Sequence, residues 1–397
     1  MPSLPRVVIK PRRARPFFAR HPWVFVTSID RVEGDPAPGD EVAVFSYEGQ
    51  FIGRGLFNHK SSIRVRLYRW DDEPIDDAFL AARLQGAIGM RTGLLGLEGP
   101  GSAARLVFSE SDGLSGLTVD RFDRWLAVQF TSLALFERRE FLLAELGRLT
   151  GAEGILLRGE KGIPSQEGLK VEEGLASGTL PDEPIEIVEH GITYLVDLRT
   201  GQKTGFFLDQ RENRQAVAAY AKGRKVLDLF CYTGGFALNA LKHGGAVSAL
   251  GIDASEKAVD LARRNAIANH ASSARFEMAD AFEALQAIRV SGETFGLVVC
   301  DPPKFARHPK ALEDAIKGYL RLNRAAIDVL EPGGVLVTCS CSGLVDRTMF
   351  LDILGQVAEL SGRPIRILEQ RGQAADHPVS ASCLETEYLK CVIAQVA

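Results

Sequence analysis

The pattern of hydrophobic and polar positions changes along the chain and divides it into three stretches. Over about residues 7–70, short apolar or alternating runs of strand length are separated by turn-forming Pro, Gly and Asp, which is typical of a small β module. Over 74–184, helical patterns alternate with groups of short strands and indicate an α+β domain. We therefore expect domains at 1–73 and 74–184, followed by a third at 185–397.

The third stretch begins with two strand patterns that predict a hairpin turning at His190 and Gly191. After Asp209, apolar strands alternate with helical segments, which is the signature of a doubly wound sheet. The predicted fold class is α/β: a Rossmann-like domain with a parallel-rich sheet. A β-rich domain and a small α+β middle domain precede it.

Composition limits the class of protein and its compartment. The chain has 397 residues, of which 46% are hydrophobic, enough for two or three packed domains. No run approaches the roughly 18 apolar residues of a membrane span, and the N-terminal segment lacks the apolar core of a signal peptide. We expect a cytoplasmic protein that binds no membrane. The six cysteines form no C-x-x-C pair and the seven histidines are scattered, so we expect free thiols and no metal site.

Charge is distributed unevenly along the chain. The net charge of −4 argues weakly against a nucleic-acid partner, but a local basic patch can bind phosphates on an acidic protein. In the predicted strand at 62–68, apolar and arginine positions alternate, which places Arg64 and Arg66 on the face opposite the apolar one. Together with Lys60, they are candidate RNA contacts; an ordinary solvated face is the alternative.

Three carboxylates follow three consecutive strands of the predicted sheet, where ligands of such folds bind. At these positions, Asp253 would accept hydrogen bonds from an adenosine ribose, and Asp280 would lie near an adenine amino group. Asp228 suits the cationic sulfonium and amino group of S-adenosylmethionine (SAM). The predicted cofactor-binding residues are Asp228, Cys231, Gly234 and Gly235 in the first turn, Asp253, and then Asp280 and Ala281.

A nicotinamide dinucleotide is the alternative cofactor. The glycine turn lacks the complete G-x-G-x-x-G sequence of that site, and the carboxylate of Asp228 would repel a pyrophosphate. The structural alternative for the acids is that they cap helix N-termini. The pattern therefore favours SAM over a dinucleotide.

Two further strand ends carry reactive groups. The fourth strand ends in Asp301-Pro-Pro-Lys-Phe, and the fifth contains Cys339 and Cys341. A thiolate that adds to carbon 6 of cytosine makes carbon 5 nucleophilic, and Asp301 could assist that addition at N3. This predicts methylation at carbon 5 of a pyrimidine. Both cysteines are candidate nucleophiles, and small core residues are the alternative for both.

These motifs resemble the large-subunit ribosomal RNA 5-methylcytosine methyltransferases, and the resemblance covers essentially the whole chain. That family has a PUA domain, a middle α+β domain and a SAM-binding domain. The segments that carry the resemblance are 20–25 and 53–66 for the PUA domain, 112–121 for the middle domain, and 201–211, 301–305 and 340–343 for the SAM-binding domain.

The resemblance implies a cofactor, a partner and further site residues. It implies SAM as cofactor and large-subunit ribosomal RNA as partner, with a precursor particle among the candidate forms. It places the nucleophile at Cys341, beside Asp301, and adds Asp209 and Arg211 to the cofactor-binding set. The target nucleotide and the base that removes the C5 proton stay open, and so does a homodimer.

One departure from the pattern keeps alternatives open. Many RNA 5-methylcytosine enzymes carry a second cysteine that acts in product release, and its place here is taken by Pro303 or Lys304. Release must then use another base, or the product differs. Asp301-Pro-Pro-Lys-Phe also resembles the Asp-Pro-Pro-aromatic motif of amino-group methyltransferases, with the aromatic displaced by one residue. The alternatives are therefore methylation of an exocyclic nitrogen or of guanine in RNA, and a non-catalytic RNA-binding protein.

Overall fold

A computed structural model describes residues 4–159, 167–201, 204–306 and 308–397. The chain forms two compact units and passes between them several times. The first unit comprises Met1–Ile187, Val196–Leu208 and Ala375–Thr386; the second comprises Val188–Leu195, Asp209–Ala374 and Glu387–Ala397. Among the described residues, no helix combines the length and apolar character that crossing a bilayer requires.

The N-terminal part of the first unit is a mostly antiparallel sheet. Its elements are β1 (Arg6–Ile9), α1 (Arg15–Phe18), β2 (Trp23–Phe25), β3 (Ile29–Glu33), β4 (Glu41–Phe45), β5 (Phe51–Phe57) and β6 (Ile63–Arg69). The strand order is β2-β6-β5-β4-β1-β3, and β1 with β4 is a parallel pair. Val24, Val44 and Val65 are among the buried residues of its core.

Strand β6 is buried on both faces, and the prediction that Arg66 faces solvent is wrong. Arg66 is buried, and its guanidinium donates to Ser115 Oγ at 2.9 Å and to Glu167 Oε1 at 3.1 Å. On the same face, Tyr68 donates its hydroxyl to Ser115 O at 2.7 Å. A buried charge needs such partners. Arg66 therefore holds the first unit together and is not available to a phosphate.

The middle part of the first unit is a second sheet covered by helices. Its elements are α2 (Asp77–Gly89), β7 (Ala103–Phe108), β8 (Leu117–Phe122), β9 (Trp125–Phe130), α3 (Leu133–Phe136), α4 (Arg139–Thr150), β10 (Gly154–Leu157) and β11 (Gly174–Gly178). The strand order is β11-β10-β9-β8-β7. Asp76 caps α2 by accepting from Phe79 N at 2.8 Å. Leu84 of α2 and Leu146 of α4 lie in the core.

The hairpin strands β12 (Ile185–Glu189) and β13 (Ile192–Val196) lie where the chain passes between the units. The second unit then alternates helices and strands. Its elements are α5 (Arg211–Ala218), β14 (Lys225–Leu229), α6 (Gly235–Lys242), β15 (Ser248–Asp253), α7 (Glu256–Ala268), β16 (Ala274–Met278), α8 (Ala281–Ser291), β17 (Phe295–Cys300), α9 (Leu312–Asp328), β18 (Leu330–Ser340), α10 (Arg347–Ser361), β19 (Ile365–Arg371) and β20 (Lys390–Val396).

The sheet of the second unit is parallel from β14 to β18, as expected for a Rossmann-like domain. Its strand order is β16-β15-β14-β17-β18-β20-β19. From β14 the chain first adds strands on one side and then crosses to β17 on the other. This reversal is the switch point at which such sheets bind ligands. The sequence analysis placed the predicted cofactor residues at this point.

Strands β19 and β20 were not predicted from the sequence. Strand β20 runs antiparallel between β18 and β19, and it pairs Cys391 with Cys339 and Lys390 with Ser340. The antiparallel direction brings the beginning of β20 to the carboxyl end of β18. Residues from the end of the chain therefore contribute to the ligand-binding edge of the sheet.

Candidate active site

The carboxyl ends of the parallel strands bring the predicted acids to one edge of the sheet. In the register, Leu229 at the end of β14 pairs with Ile252 on one side and with Cys300 on the other. Asp253 and Asp301 directly follow those two partners. The strands therefore bring Asp253 and Asp301 to one edge of the sheet, as the pattern of parallel strands predicted.

The turn after β14 has an unusual backbone that is held by Asp253. Phe230 and Tyr232 have φ of +60° and +49°, a conformation that costs a non-glycine residue about 1–3 kcal/mol. Tyr232 N donates to Asp253 Oδ2 and Ser255 N donates to Asp253 Oδ1, both at 2.9 Å. Each carboxylate oxygen keeps a second lone pair, and Asp253 is half-buried. The arrangement leaves acceptors for the two hydroxyls of a ribose.

Asp228 is buried beneath the same turn and has one oxygen without a partner. Its Oδ2 accepts from Ala237 N in the first turn of α6 at 3.0 Å. Among the described residues, Oδ1 has no hydrogen-bond partner. Burial raises the pKa of this carboxyl to about 8. A cationic donor would satisfy the oxygen and favour its charge, which fits the amino group or sulfonium of SAM.

The two glycines of the turn are required by neighbouring side chains. A Cβ on Gly234 would lie 2.6 Å from Phe276 Cζ, and one on Gly235 would lie 2.8 Å from Arg214 Cδ. Gly234 also has φ of +83°. The sequence analysis explained these glycines by close approach to a ligand, whereas their Cβ directions point at protein atoms. Cys231 is buried and packs against Gly251.

Asp280 follows β16 and caps a helix. Its Oδ1 accepts from Phe282 N at 2.8 Å and from Glu283 N at 3.2 Å, so the capping role considered from the sequence is present. The residue is exposed, and the adjacent Ala281 is buried. Capping leaves Oδ2 of Asp280 available to a donor such as an adenine amino group.

Asp209 and Arg211 are buried and bound to protein partners. Tyr388 donates its hydroxyl to Asp209 Oδ2 at 2.5 Å. Arg211 Nε lies 3.7 Å from Glu189 Oε2, and Arg214 donates twice to the same carboxylate at 2.8 Å. These contacts fix the beginning of α5, and a direct role in cofactor binding stays a prediction for both residues.

Gln210, between those two residues, reaches the site and was missed from the sequence. Its Nε2 donates to Asp301 Oδ2 at 3.0 Å, and its Oε1 accepts from Asn213 Nδ2 at 2.7 Å. Arg371 in turn donates to Asn213 Oδ1 at 3.0 Å. This chain of hydrogen bonds orients Asp301. The position of Gln210 within 201–211 was the only available signal.

The two candidate nucleophiles, Cys341 and Cys339, differ in their surroundings. Cys341 is half-buried, whereas the other five cysteines are buried. Its Sγ lies 3.9 Å from the carbonyl oxygen of Pro302, so it lies beside the Asp301-Pro302 loop. Cys339 is fully buried, and its hydrogen bond with Cys391, together with burial, raises the pKa of its thiol well above the usual range. A thiol of that kind is a poor nucleophile, so these contacts favour Cys341.

Further side chains surround the segment that carries Cys341. Lys390 Nζ donates a hydrogen bond to Ser342 O at 2.7 Å. Tyr319 OH lies 3.3 Å from Ser342 Oγ, and the Phe305 ring packs on Tyr319 with centroids 4.7 Å apart. Lys390 and Tyr319 were not singled out from the sequence, because they reach the site from β20 and α9, whereas Phe305 is the displaced aromatic residue of the Asp-Pro-Pro motif.

One group in the first unit has the composition of a metal site. His21, Cys383 and Glu385 bring one ligand atom each to within 4.8 Å of one another. However, His21 Nδ1 accepts from Trp23 N at 3.2 Å, which places the ring proton on Nε2. That nitrogen therefore donates to Glu385, 3.4 Å away, and has no lone pair for a metal. Hydrogen bonding accounts for the group.

Comparison with known proteins decides the family. Residues 171–370 match the S-adenosylmethionine-dependent methyltransferase family, and residues 7–70 match the PUA-like domain. The chain belongs to the S-adenosylmethionine-dependent methyltransferases. SAM is therefore the cofactor of this methyltransferase, and the expected class, a Rossmann-like domain preceded by a PUA-like domain, is confirmed. The nicotinamide alternative is excluded.

Individual relatives agree with this assignment over the whole length of the methyltransferase. It is 41% identical to "Ribosomal RNA large subunit methyltransferase I" of Aeromonas hydrophila subsp. hydrophila over 96% of each chain. A putative SAM-dependent methyltransferase from Streptococcus mutans has the same fold, with a TM-score of 0.84, 19% identity and coverage of 98% and 100%. SMU.776, a putative methyltransferase complexed with SAH, gives a TM-score of 0.85 at 19% identity and the same coverage.

Proposed function

We propose that this methyltransferase methylates carbon 5 of a cytosine in large-subunit ribosomal RNA, in the cytoplasm, with Cys341 as the nucleophile. The observation that carries the proposal is the half-buried Cys341 thiol, 3.9 Å from Pro302 O beside Asp301. The ribosomal substrate rests on the name of the relatives that are about 40% identical. A precursor particle and naked RNA are both candidate forms of that substrate.

The residues of the first turn fit the cofactor. Asp228 would face the cationic end of SAM through Oδ1, which has no partner in the described part of the chain. Asp253 would accept from the ribose and Asp280 from the adenine amino group. When bound, SAM supplies an electrophilic methyl group. We further propose domain boundaries at 1–73, 74–184 and 185–397.

The residues of the site would act on the base in a defined order. The Cys341 thiolate adds to carbon 6 of the target cytosine, while the protonated carboxyl of Asp301 gives its proton to N3, where negative charge would otherwise develop. Carbon 5 thereby becomes enamine-like and nucleophilic enough to be methylated. A base then takes the C5 proton, N3 returns its proton to Asp301, the double bond is restored and Cys341 leaves as a thiolate. Gln210 keeps the Asp301 carboxylate in place through its 3.0 Å hydrogen bond.

The position of Phe305 argues against methylation of an exocyclic nitrogen. In the Asp-Pro-Pro-aromatic motif of amino-group enzymes, the aromatic side chain follows the second proline directly. Here Lys304 occupies that place and is exposed. The Phe305 ring is packed against Tyr319 and is committed to the protein core. Carbon 5 is therefore the better-supported target.

The N-terminal sheet would bind the RNA backbone. Lys60 is exposed, and Arg64 is half-buried and donates to Asn58 O at 3.3 Å; both keep donors for phosphate. Arg66 is withdrawn from this set because it is buried. The segment before β2, which includes α1, adds exposed cations and Phe18, which is 45% exposed. These cations are Lys10, Arg12, Arg13, Arg15 and Arg20.

The decisive experiment traps the covalent intermediate. Large-subunit ribosomal RNA transcribed with 5-fluorocytosine is incubated with SAM and the full-length protein. A fluorine at carbon 5 cannot leave as a proton, so the adduct should accumulate as an RNA-linked band. Cys341→Ser should abolish adduct and methyl transfer while keeping SAM binding. Cys339→Ser, the matched control on the same strand, should retain both.

The outcomes separate the alternatives. An adduct that survives Cys341→Ser and disappears with Cys339→Ser would assign the nucleophile to Cys339. Methyl transfer that depends on neither cysteine would refute carbon 5 chemistry and favour an exocyclic nitrogen. If correctly folded protein methylates neither naked ribosomal RNA nor precursor particles in the presence of SAM, the proposed ribosomal substrate is wrong.

A further inference from the structure

Lys390 is a buried lysine whose ammonium lies beside the Cys341 segment. It is the first residue of β20, and it pairs across the sheet with Ser340 at the end of β18. Its Nζ donates to Ser342 O at 2.7 Å and to Tyr388 O at 2.9 Å. Only 3% of the residue is exposed. The ammonium is thus anchored to the residue that directly follows Cys341.

The buried ammonium lacks a carboxylate partner. In the part of the chain that the structure describes, no carboxylate oxygen lies within 4.0 Å of Lys390 Nζ. The nearby acids are engaged elsewhere: Glu387 accepts from Arg347 at 2.5 Å, and Asp346 caps α10 through Met349 N at 2.8 Å. Burying a charge without a counter-charge is costly. A charged Lys390 therefore needs another anion near Nζ to compensate its buried charge.

The thiol of Cys341 is the group that best meets this need. Burial lowers the pKa of Lys390 to about 8, and the strongest opposing effect on that pKa comes from the charge of Cys341. Glu387 and Asp346 act in the same direction more weakly, and Arg347 opposes them. An amine and a thiol of similar proton affinity can exchange one proton between them.

We propose that Lys390 holds Cys341 as a thiolate. Burial without a counter-charge favours the neutral amine of Lys390. The proton leaves Sγ of Cys341 and is taken up by that neutral Nζ, which gives an ammonium–thiolate pair. The net charge is unchanged and no other reactant is needed. Lys390 acts through Cys341 and is a positioning residue. The inference rests on the proposed function only in that Cys341 is the nucleophile.

In this pair, Cys341 would already be a thiolate before RNA binds. An ordinary cysteine titrates near about 8.5 and is only a few per cent thiolate at neutral pH. Here the cation compensates the thiolate, and the thiolate compensates the buried cation. Each group thereby removes the cost of burying the other.

The test uses full-length protein without SAM or RNA. The rate of alkylation by iodoacetamide is measured at Cys341 by peptide mass spectrometry from about pH 5.5 to about pH 9.5. The other five cysteines are buried and serve as internal references. The variants are Lys390→Met, Lys390→Arg and the control Lys317→Met, which removes an exposed lysine of α9.

The expected profile differs between the variants. In the wild type, the midpoint should lie at least about one pH unit below that of an ordinary cysteine. In Lys390→Met it should rise by at least about one unit, which slows alkylation at pH 7 about tenfold. Lys390→Arg should stay close to the wild type because it keeps a cation, and Lys317→Met should match it.

Two results would overturn the inference. The first is an unchanged profile in a folded Lys390→Met. The second is a wild-type midpoint near about 8.5, which needs no variant and therefore decides the matter even where Lys390→Met fails to fold. Neither result touches the proposed function, because the 5-fluorocytosine adduct reports on cytosine chemistry separately from the proton of Cys341.

Discussion

The side-chain amide of Gln210 donates to Asp301 Oδ2 at 3.0 Å. Asn213 and Arg371 extend this contact from the beginning of α5 to the end of β19. The orientation of Asp301 therefore depends on residues far away in the sequence. Side chains that orient a reacting group usually matter nearly as much as the group itself.

Replacement of Gln210 should impair catalysis more than binding. Gln210→Leu removes the donor to Asp301, so we expect kcat for methyl transfer to fall about tenfold or more, with the Kd for SAM within about twofold. Single-turnover methylation and calorimetry measure the two. Gln215→Leu, in the helix α5 that begins directly after Gln210 and only half-buried, is the control. A normal kcat in Gln210→Leu would mean that Asp301 is held adequately without it.

Asp228→Asn should stabilise the protein at high pH while weakening SAM binding. Burial raises the folded-state pKa to about 8, whereas the unfolded chain titrates near about 3.9. Between these values the folded state binds a proton that the unfolded state does not, so this carboxyl lowers stability as pH rises towards 8.

Asparagine cannot titrate, so the advantage of Asp228→Asn should grow with pH. We expect the difference in unfolding free energy from the wild type to increase by about 4 kcal/mol between pH 5 and pH 8.5, which corresponds to about 8–16 °C in Tm. Thermal unfolding of both proteins across this range measures it. A difference independent of pH would show that the Asp228 pKa is not raised.

Asp253 should be required for the cofactor. Asp253→Ala removes the acceptors for the ribose and should weaken SAM binding by about 1.5–3 kcal/mol. It also removes the partners of Tyr232 N and Ser255 N, so Asp253→Asn, which keeps one oxygen, separates the two effects. Calorimetry with SAM gives both values. An unaltered Kd in folded Asp253→Ala would remove this residue from the cofactor site.

The three basic residues near β6 should behave differently when mutated. Arg66→Ala leaves buried carboxylates without their cation and should cost about 3 kcal/mol of unfolding free energy. Lys60→Ala and Arg64→Ala should leave stability nearly unchanged, weaken binding to deproteinised ribosomal RNA and lower its salt slope by about one each. Denaturant unfolding and binding at two salt concentrations test both statements. If the RNA affinity does not depend on Lys60 and Arg64, these residues belong to an ordinary solvated face and do not contact RNA.

The parallel part of the site was predictable from the sequence. Asp228, Asp253 and Asp301 lie at or directly after strand ends, and parallel strands share one carboxyl edge. Lys390 was not predictable, because it reaches this edge through an antiparallel strand inserted beside β18. Gln210 enters from a helix start 91 positions before its partner, and no local pattern encodes that pairing.

The error at Arg66 has a different physical origin. Alternation in β6 correctly separated two faces of the strand, but it cannot tell whether the second face meets water or protein. The residues that cover Arg66 on this face are Ser115 and Glu167, which lie in a later part of the chain. A period of two in the sequence therefore fixes the side of the sheet and leaves its environment undetermined.

The order of strands in the second unit has a consequence for synthesis. Strand β20 emerges from the ribosome after β18 and β19, yet it lies between them and brings Lys390 to the Cys341 segment. Until β20 is made, β18 and β19 have no common neighbour, and Lys390 cannot donate to Ser342 O beside Cys341. Closure depends on late, non-local strand pairing, which is slow. If Lys390 holds Cys341 as a thiolate, as we propose, a nascent chain would carry the whole cofactor turn for roughly ten seconds of translation before it could methylate RNA.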